Sequence, residues 1–426
     1  MVAQGRHETC PYGRIRSNIS PIDLTMERDP HDPKPGTLAV WGGEQGSFWE
    51  QATQIPVVHS VSFGYPDVDD WMEVATGKVP GHIYSRNTNP TVQAFEEKVR
   101  CLEGAEAATS FASGMAAVSN TLFALLAPGD RVVSVKDCYG GTSQLFLDFL
   151  PKFQIDVTLC ETDDFEAIEA AVASGCRVLY LESPTNPTLK VVDLARLAKA
   201  AQAVGAQVVV DNTFATPINQ KPLDLGADLV LHSATKFLGG HADALGGVVC
   251  GGADAIGRIY HFREITGAAL DPMAAYLLLR GMKTLHLRVR QQNESALRIA
   301  RYLRDHPAVT QVFYPGLETH PHHAVARRQM SGFGGVLSFQ VKGGFEAVRA
   351  LLPRLRFAHR AANLGAVETV VGPPATTSHV ECSPEERAAM GIPESLIRYS
   401  TGIEEVDDLI ADLEQALAHL TVTALP

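Results

Sequence analysis

The chain has 426 residues, enough for two or three domains of ordinary size. Asp and Glu (48) outnumber Lys and Arg (36), so the formal net charge is −12, which argues against a nucleic-acid partner whose phosphates need basic contacts. Hydrophobic residues make up 45% of the chain, yet no stretch approaches about 18 uninterrupted apolar residues. The composition predicts a globular protein without a membrane-spanning helix.

The first residues and the cysteines bear on the cellular location of the protein. Residues 1–36 are polar, rich in proline and without a sustained period, so we expect an extended arm or a tail that buries little surface. The absence of an apolar core there argues against a secretory signal. The seven cysteines are scattered and never form a CxxC pair, which favours reduced thiols and a cytoplasmic location.

Short apolar runs alternate with helical stretches between about residues 100 and 250. Apolar strands alternating with helices predict a doubly wound, mostly parallel α/β sheet, whose ligands bind beyond the carboxyl ends of the strands. In this chain Glu182, Asp211 and Asn212 stand at those ends. The predicted strands lie at 131–137, 155–161, 177–184, 206–213 and 227–236, with helices at 165–175 and 193–205, the latter between Asp193 at the N-cap and Gly205.

A smaller α+β domain is predicted beyond about residue 265. Its pattern is less regular: a long helical stretch at about 273–306, a strand at 334–341, a helix near 345–356 and a closing helix at 406–420. The chain shows no internal repeat.

The segment HSATKFLGGH (232–241) carries the sharpest chemical signal. Ser233 and Thr235 flank Lys236, and two hydroxyl groups beside a lysine suit a phosphate site in which the amine can form a Schiff base with a carbonyl cofactor. A surface lysine is the plain alternative. The S-x-x-K spacing is also found in penicillin-binding serine enzymes, but the S-D-N and K-T-G motifs that such enzymes need are absent.

Two further features point to the same chemistry. Asp211 ends the apolar run VVVD, where a carboxylate can keep a pyridinium nitrogen protonated, although the residue taken alone favours a turn or N-cap role. Ser-Gly before an apolar helix at 113–118 allows backbone N–H groups to approach an anion. The histidines of THPHH (319–323) have no Cys or Glu at ligand spacing and predict a polar loop instead of a metal site.

Together these segments resemble the pyridoxal-phosphate enzymes of cysteine and methionine metabolism, the family of cystathionine γ-synthase, cystathionine γ-lyase, methionine γ-lyase and the homoserine-ester sulfhydrylases. The resemblance runs from about residue 37 to about 420. It rests on ten blocks in the family's order: YSRNTNPT (84–91), LEGAEAATSFASGMAA (102–117), YGGT (139–142), ESPTNP (182–187), VVDNTFATP (209–217), HSATKFLGGH (232–241), LLLRGMKTL (277–285), YPGLETHP (314–321), GFGGVLSF (332–339) and IRYSTGIE (397–404).

The resemblance implies a fold-type I pyridoxal-phosphate enzyme with an N-terminal arm (1–63), a cofactor domain (64–265) and a small C-terminal domain (266–426). It also implies a cytoplasmic homotetramer with active sites shared between subunits. Lys236 and Tyr139 would be catalytic, Lys236 as the lysine that carries the cofactor and moves the proton. The implied cofactor contacts are Tyr84, Arg86, Gly114, Met115, Tyr139, Asn186, Asp211, Thr213, Ser233, Thr235 and Lys236; the implied substrate contacts are Arg398, Asn363, Gln144 and Ile83.

The implied reaction is γ-elimination from an L-amino acid through a vinylglycine-type intermediate. γ-Replacement, as in the synthases and sulfhydrylases, is the alternative, and a cofactor-binding protein without turnover is a third hypothesis. Three departures from the family pattern motivate the third: Asn363 in place of serine, Thr377 in place of methionine and Tyr399 in place of leucine.

Substrate size is predicted from positions where the family's other members carry charges or a cysteine. Gln144 stands where cystathionine-processing members have arginine, and Ile83 and Val92 replace an acidic residue and an arginine. Gly141 occupies the place of the cysteine of methionine γ-lyases, which argues against a plain methionine γ-lyase. These neutral positions predict a small uncharged γ-substituent: an ester, a thioether or a halide.

Overall fold

The computed structural model describes residues 33–44, 52–380, 383–389 and 391–422. Two β-sheets organise this part of the chain, one of seven strands and one of five. Most of the predicted tail at 1–36 lies outside the described residues. None of the helices within the described ranges combines the length and the apolar character needed to cross a membrane.

The seven-stranded sheet confirms the predicted α/β class. Its order is β1-β7-β6-β5-β4-β2-β3, in which β7 runs antiparallel to both neighbours and the other pairs are parallel. Sequence patterning missed β1 and β7. The strands are β1 (Ala107–Phe111), β2 (Arg131–Val135), β3 (Asp156–Cys160), β4 (Val178–Glu182), β5 (Gln207–Asp211), β6 (Leu229–Ser233) and β7 (Gly247–Gly251).

Helices cover both faces of this sheet, which is why its strands are apolar throughout. Val249 packs in one core cluster, while Val248 and Cys250 point to the other face and pack in a second. The helices of this part are α1 (Pro35–Trp41), α2 (Val68–Ala75), α3 (Pro90–Glu103), α4 (Gly114–Leu125), α5 (Gly140–Gln144), α6 (Phe165–Ala173), α7 (Leu194–Ala203), α8 (Thr216–Asn219) and α9 (Ala253–Thr266).

The second sheet lies in the C-terminal part and has the order β10-β11-β12-β9-β8. The predicted long helix at 273–306 was wrong as a single element, because the chain breaks it at Lys283 and Thr284 into two helices. The elements are α10 (Pro272–Met282), α11 (Leu285–Arg304), β8 (Val309–Phe313), α12 (His323–Gln329), β9 (Val336–Val341), α13 (Gly344–Leu351), β10 (His359–Arg360), β11 (Val370–Gly372), α14 (Pro384–Ala389), β12 (Leu396–Ser400) and α15 (Val406–Val422).

The first described helix is anchored through a buried lysine. Lys98 of α3 donates to the carbonyl oxygens of Ala39 and Val40 and pairs with Glu44 at 2.7 Å. Glu44 also pairs with Lys283 at 2.6 Å. Glu44 offsets part of the cost of burying the Lys98 ammonium, whereas the charge of Lys283, which shares that carboxylate, opposes it. Together these contacts fix the start of the described chain to the body of the protein.

Candidate active site

The amine of Lys236 connects the loop after β6 to a loop of the C-terminal part. Lys236 follows β6 by three residues, and its Nζ donates to Oδ1 of Asn363, 2.8 Å away in the C-terminal part. Burial, together with the nearby charge of Arg398, lowers the pKa of Lys236 to about 8. Much of this amine is therefore neutral at slightly alkaline pH, as a nucleophile or base requires.

Arg398 of β12 is 5% exposed and is oriented by two oxygens. Its Nη1 donates to Oδ1 of Asn186 at 3.1 Å, and its Nη2 donates to the carbonyl oxygen of Asn363 at 3.1 Å. Burial lowers the pKa of Arg398 to about 10, so it keeps its charge at neutral pH. Arginine has five N–H donors, which leaves donors for a carboxylate beside the Lys236 amine.

Asp211 ends β5 and faces the same site. Its Oδ1 accepts the backbone N–H of Thr213 at 2.9 Å, and the Thr213 hydroxyl oxygen accepts the backbone N–H of Ser233 at 2.9 Å. Burial raises the pKa of Asp211, and hydrogen bonds from Thr213 oppose the rise. A partly buried carboxylate of this kind is stabilised by a cation, such as a protonated ring nitrogen.

A candidate phosphate cradle lies at the start of α4. Ser113 caps this helix by accepting the N–H of Ala116 at 3.1 Å, and the N–H groups of Gly114 and Met115 belong to its open first turn. A Cβ on Gly114 would lie 2.6 Å from Cβ of Ser233, so glycine is required for the close approach of this turn to the Ser233 hydroxyl. Thr235 shapes the next loop, since its hydroxyl oxygen accepts the N–H of Gly246 at 3.1 Å.

Tyr139 stands at the N-cap of the short helix α5 with 45% of its surface exposed. Its backbone N–H donates to Oε2 of Glu182 at 2.8 Å. A Cβ on Gly141 would lie 2.9 Å from the Tyr139 ring and 3.1 Å from Sδ of Met115, so the small residue brings the ring close to α4.

Other predicted residues lie outside this cluster. Tyr84 is 41% exposed, and the Arg86 guanidinium stacks over its ring at 5.2 Å. Ile83, just before this pair, is half-buried, and Gln144 is exposed at the end of α5. Val92 packs in the core with Phe95. Its side chain therefore does not line a substrate pocket of this subunit, and the prediction of substrate size does not rest on it.

The structure also clarifies the other departures from the family pattern. Tyr399 is fully buried in the core of the C-terminal part, because alternation along β12 turns it away from the face that carries Arg398. Thr377 donates to the carbonyl oxygen of Pro373. Neither contact reaches Lys236.

Sequence reasoning missed His379. This histidine is 3% exposed, and burial followed by the charge of Arg398 lowers its pKa to about 4. It therefore stays neutral beside the arginine. A lone histidine in an irregular loop gives no periodic signal by which it could have been found.

The histidines of THPHH take part in hydrogen bonds with the backbone. No group of three or more metal-ligating side chains occurs among the residues that the structure describes. His322 instead accepts the backbone N–H of Val191 at 3.1 Å, and His320 accepts the N–H of His322 at 3.2 Å.

These residues fit pyridoxal phosphate. A helix N-terminus beside hydroxyl groups suits a phosphate, a partly buried carboxylate suits a pyridinium nitrogen, and a partly neutral lysine suits an aldehyde. The fold and the site thus define a pyridoxal-phosphate enzyme with an α/β cofactor domain.

The chain belongs to the Cys/Met metabolism PLP-dependent enzyme family, whose model matches residues 36–418. It is 41% identical over 406 residues to cystathionine gamma-synthase 1, chloroplastic, of Arabidopsis thaliana (95% of this chain, 72% of the relative). It is 42% identical over 386 residues to L-methionine gamma-lyase of Fusobacterium nucleatum subsp. polymorphum (90% and 97%). A crystal structure of cystathionine gamma synthase from Xanthomonas oryzae pv. oryzae, in complex with aminoacrylate and cysteine, matches with a TM-score of 0.87 at 38% identity, covering 92% of this chain and 99% of that one.

Proposed function

We propose that the protein catalyses γ-elimination from an L-amino acid with a small neutral γ-substituent. The observation that supports this proposal is that Lys236, the base, and Arg398, which would bind the α-carboxylate, contact the same residue. Asn363 bonds to Lys236 through its side chain and to Arg398 through its backbone. A substrate whose α-carboxylate binds Arg398 then presents its Cα near the Lys236 amine.

Each residue has a task in this proposal. Gly114, Met115, Ser233, Thr235 and Thr213 shape the cofactor's binding site, and Asp211 keeps the ring nitrogen protonated. When bound, pyridoxal phosphate withdraws electrons from Cα and makes the proton there acidic. Lys236 removes that proton and Tyr139 assists proton transfer, while Asn186 keeps the Arg398 fork in position.

γ-Replacement is the second candidate, since relatives include both a gamma-synthase and a gamma-lyase. The two reactions share the residues that bind the cofactor and remove the α-proton. They differ in what reacts with the vinylglycine-type intermediate: water in γ-elimination, a second nucleophile in γ-replacement. A panel of γ-substituted amino acids, assayed for oxo acid, released leaving group and thiol adduct, separates them.

The side chains of Gln144 and Ile83 support the neutral γ-substituent. Without a cation at Gln144, a distal carboxylate loses a charged hydrogen bond of about 1.5–3 kcal/mol. We expect kcat/KM for neutral γ-substituents to exceed that for cystathionine or O-succinylhomoserine by at least about tenfold. Gln144→Arg should narrow the gap, whereas Gln202→Arg, on the exposed face of α7, should leave it unchanged. Preference of the unmodified protein for cystathionine would contradict this pocket assignment.

We also propose that the active enzyme is an oligomer, a homotetramer, in which Tyr84 and Arg86 reach the cofactor of a neighbouring subunit. Both side chains are exposed in the single chain, and helix α2 nearby has no buried residue although it presents Val68, Trp71 and Met72. Exposed apolar surface of this kind marks interaction sites. A cytoplasmic location agrees with the described cysteines, all of which are free thiols.

Mixed subunits test the shared site. Lys236→Ala and Arg86→Ala variants should each be nearly inactive alone. If the site is shared, dissociating and reassociating them in equal amounts restores about a quarter of the native activity, because half of the pairs are mixed and each mixed pair has one intact site. No recovery after verified subunit exchange would place both residues in the same subunit's site.

A further inference from the structure

Glu182 is a buried carboxyl group at the centre of the active-site edge. It is the last residue of β4, is 3% exposed, and lies opposite Asp211 in the register of β4 and β5. A buried carboxyl group needs partners to offset its desolvation. The two charged groups that act on it most strongly are further carboxylates, Asp211 and Asp137, so electrostatic attraction does not account for its presence.

Its partners are backbone N–H groups of two loops. Oε2 accepts the N–H of Tyr139 at 2.8 Å, and the backbone N–H of Asn186 lies close enough to the carboxyl group to favour its charged form. The first loop begins α5, whose N-cap N–H has no acceptor within the helix. The second loop carries the Asn186 side chain, which accepts from Arg398 at 3.1 Å.

We propose that Glu182 is a positioning residue that fixes two functional loops relative to Asp211. Through Tyr139 it sets the height of the aromatic ring at the cofactor site. Through Asn186 it sets the orientation of the Arg398 guanidinium group. Because Glu182 and Asp211 end adjacent strands, the same sheet edge then determines the ring-nitrogen contact, the tyrosine and the carboxylate anchor.

The charge environment agrees with this role. Burial, followed by the charge of Asp211, raises the pKa of Glu182 well above its usual range. The N–H groups of Tyr139 and Asn186 oppose this rise, and the carboxyl group offers lone pairs to both donors in either protonation state.

The test compares Glu182→Ala with Asp412→Ala. Asp412 of α15 is the matched control: it is 4% exposed and also accepts two backbone N–H groups, from Arg356 at 2.8 Å and Phe357 at 3.0 Å, but in the C-terminal core. Both variants lose a buried carboxyl group that accepts backbone N–H groups, and Asp412 in addition accepts the Gln415 side chain at 3.0 Å. Only Glu182→Ala removes bonds to active-site loops.

Amide hydrogen exchange in the cofactor-free protein is the primary readout. Glu182→Ala should speed exchange at Tyr139 and Asn186 by about tenfold or more, and Asp412→Ala should instead speed it at Arg356 and Phe357. Glu182→Gln, which keeps one carbonyl acceptor, should restore protection at one of the two amides and remains informative if the alanine variant does not fold. Unchanged exchange at both amides in the folded variants would overturn the proposal.

The second readout is kinetic and rests on the proposed function. Glu182→Ala should raise the dissociation constant of pyridoxal phosphate and the KM for the amino acid by about tenfold or more, with partial recovery in Glu182→Gln. Asp412→Ala should lower Tm without these changes. Equal effects of both variants would reduce Glu182 to a structural role and overturn the proposal. Failure of the native protein to bind pyridoxal phosphate would refute the proposed function but leave the exchange test intact.

Discussion

The Lys236 amine should titrate near pH 8 in the cofactor-free protein, far below an ordinary lysine. Burial is the main cause and the charge of Arg398 adds to it. A pKa of about 8 leaves about 9% of the amine neutral at pH 7, against about 0.03% at the ordinary value of 10.5. The fraction able to react with an aldehyde is therefore about 300-fold larger.

Competitive labelling measures this pKa. The cofactor-free protein is treated with trace acetic anhydride across pH 6–11, and mass spectrometry follows the Lys236 peptide, with the exposed Lys199 as the reference for reagent and time. The midpoint for Lys236 should lie near 8.

Two variants should move the midpoint in opposite directions. Arg398→Met removes a neighbouring positive charge and should raise the midpoint, which stays below 10.5 because burial remains. Asn363→Ala removes the oxygen 2.8 Å from Nζ, which favours the ammonium form, and should lower it. A native midpoint at or above 10, or no response to Arg398→Met, would refute the electrostatic reasoning.

Two further variants test the phosphate cradle and the carboxylate anchor. Gly114→Ala should raise the dissociation constant of pyridoxal phosphate by about 5- to 150-fold, since its Cβ would lie 2.6 Å from Ser233 and overpacking costs about 1–3 kcal/mol. Gly257→Ala, whose Cβ meets nothing within 4 Å, is the control, and equal affinities in a cofactor titration would disprove the cradle. Arg398→Lys loses the bidentate fork and should lower kcat/KM by about 10- to 150-fold, chiefly through KM. An unchanged KM in steady-state assays would show that the α-carboxylate binds elsewhere.

Much of the cofactor domain follows from local sequence. The apolar runs that end at Glu182, Asp211 and Ser233 are buried strands with polar residues at their carboxyl ends, and that edge carries the site. The N-cap at Asp193 is also confirmed, since its side chain accepts the N–H of Arg196 at 3.3 Å. Burial on both faces produces the apolar runs, and capping requires a short polar side chain, so both leave a local pattern.

Other features have no local pattern. β1 (AATSF) and β7 (GVVCG) are short and contain small residues, and they pair with each other across more than a hundred residues of chain, while β7 also pairs with β6. The contacts of Lys236 with Asn363 and of Arg398 with Asn186 join residues 127 and 212 positions apart. The sequence pattern places Glu182 at the end of a strand. Its bond to the Tyr139 backbone has no such pattern, because it depends on where the loop that carries Tyr139 lies in the fold.

Covalent trapping of the cofactor tests the central claim most directly. The native protein is incubated with pyridoxal phosphate, reduced with borohydride, digested and mapped by mass spectrometry, with Lys236→Ala in parallel. We predict a reduced cofactor adduct on the peptide that contains Lys236 and its loss in the variant. An adduct confined to another lysine, or none in a folded native protein, would contradict the assignment of Lys236 and the site built around it.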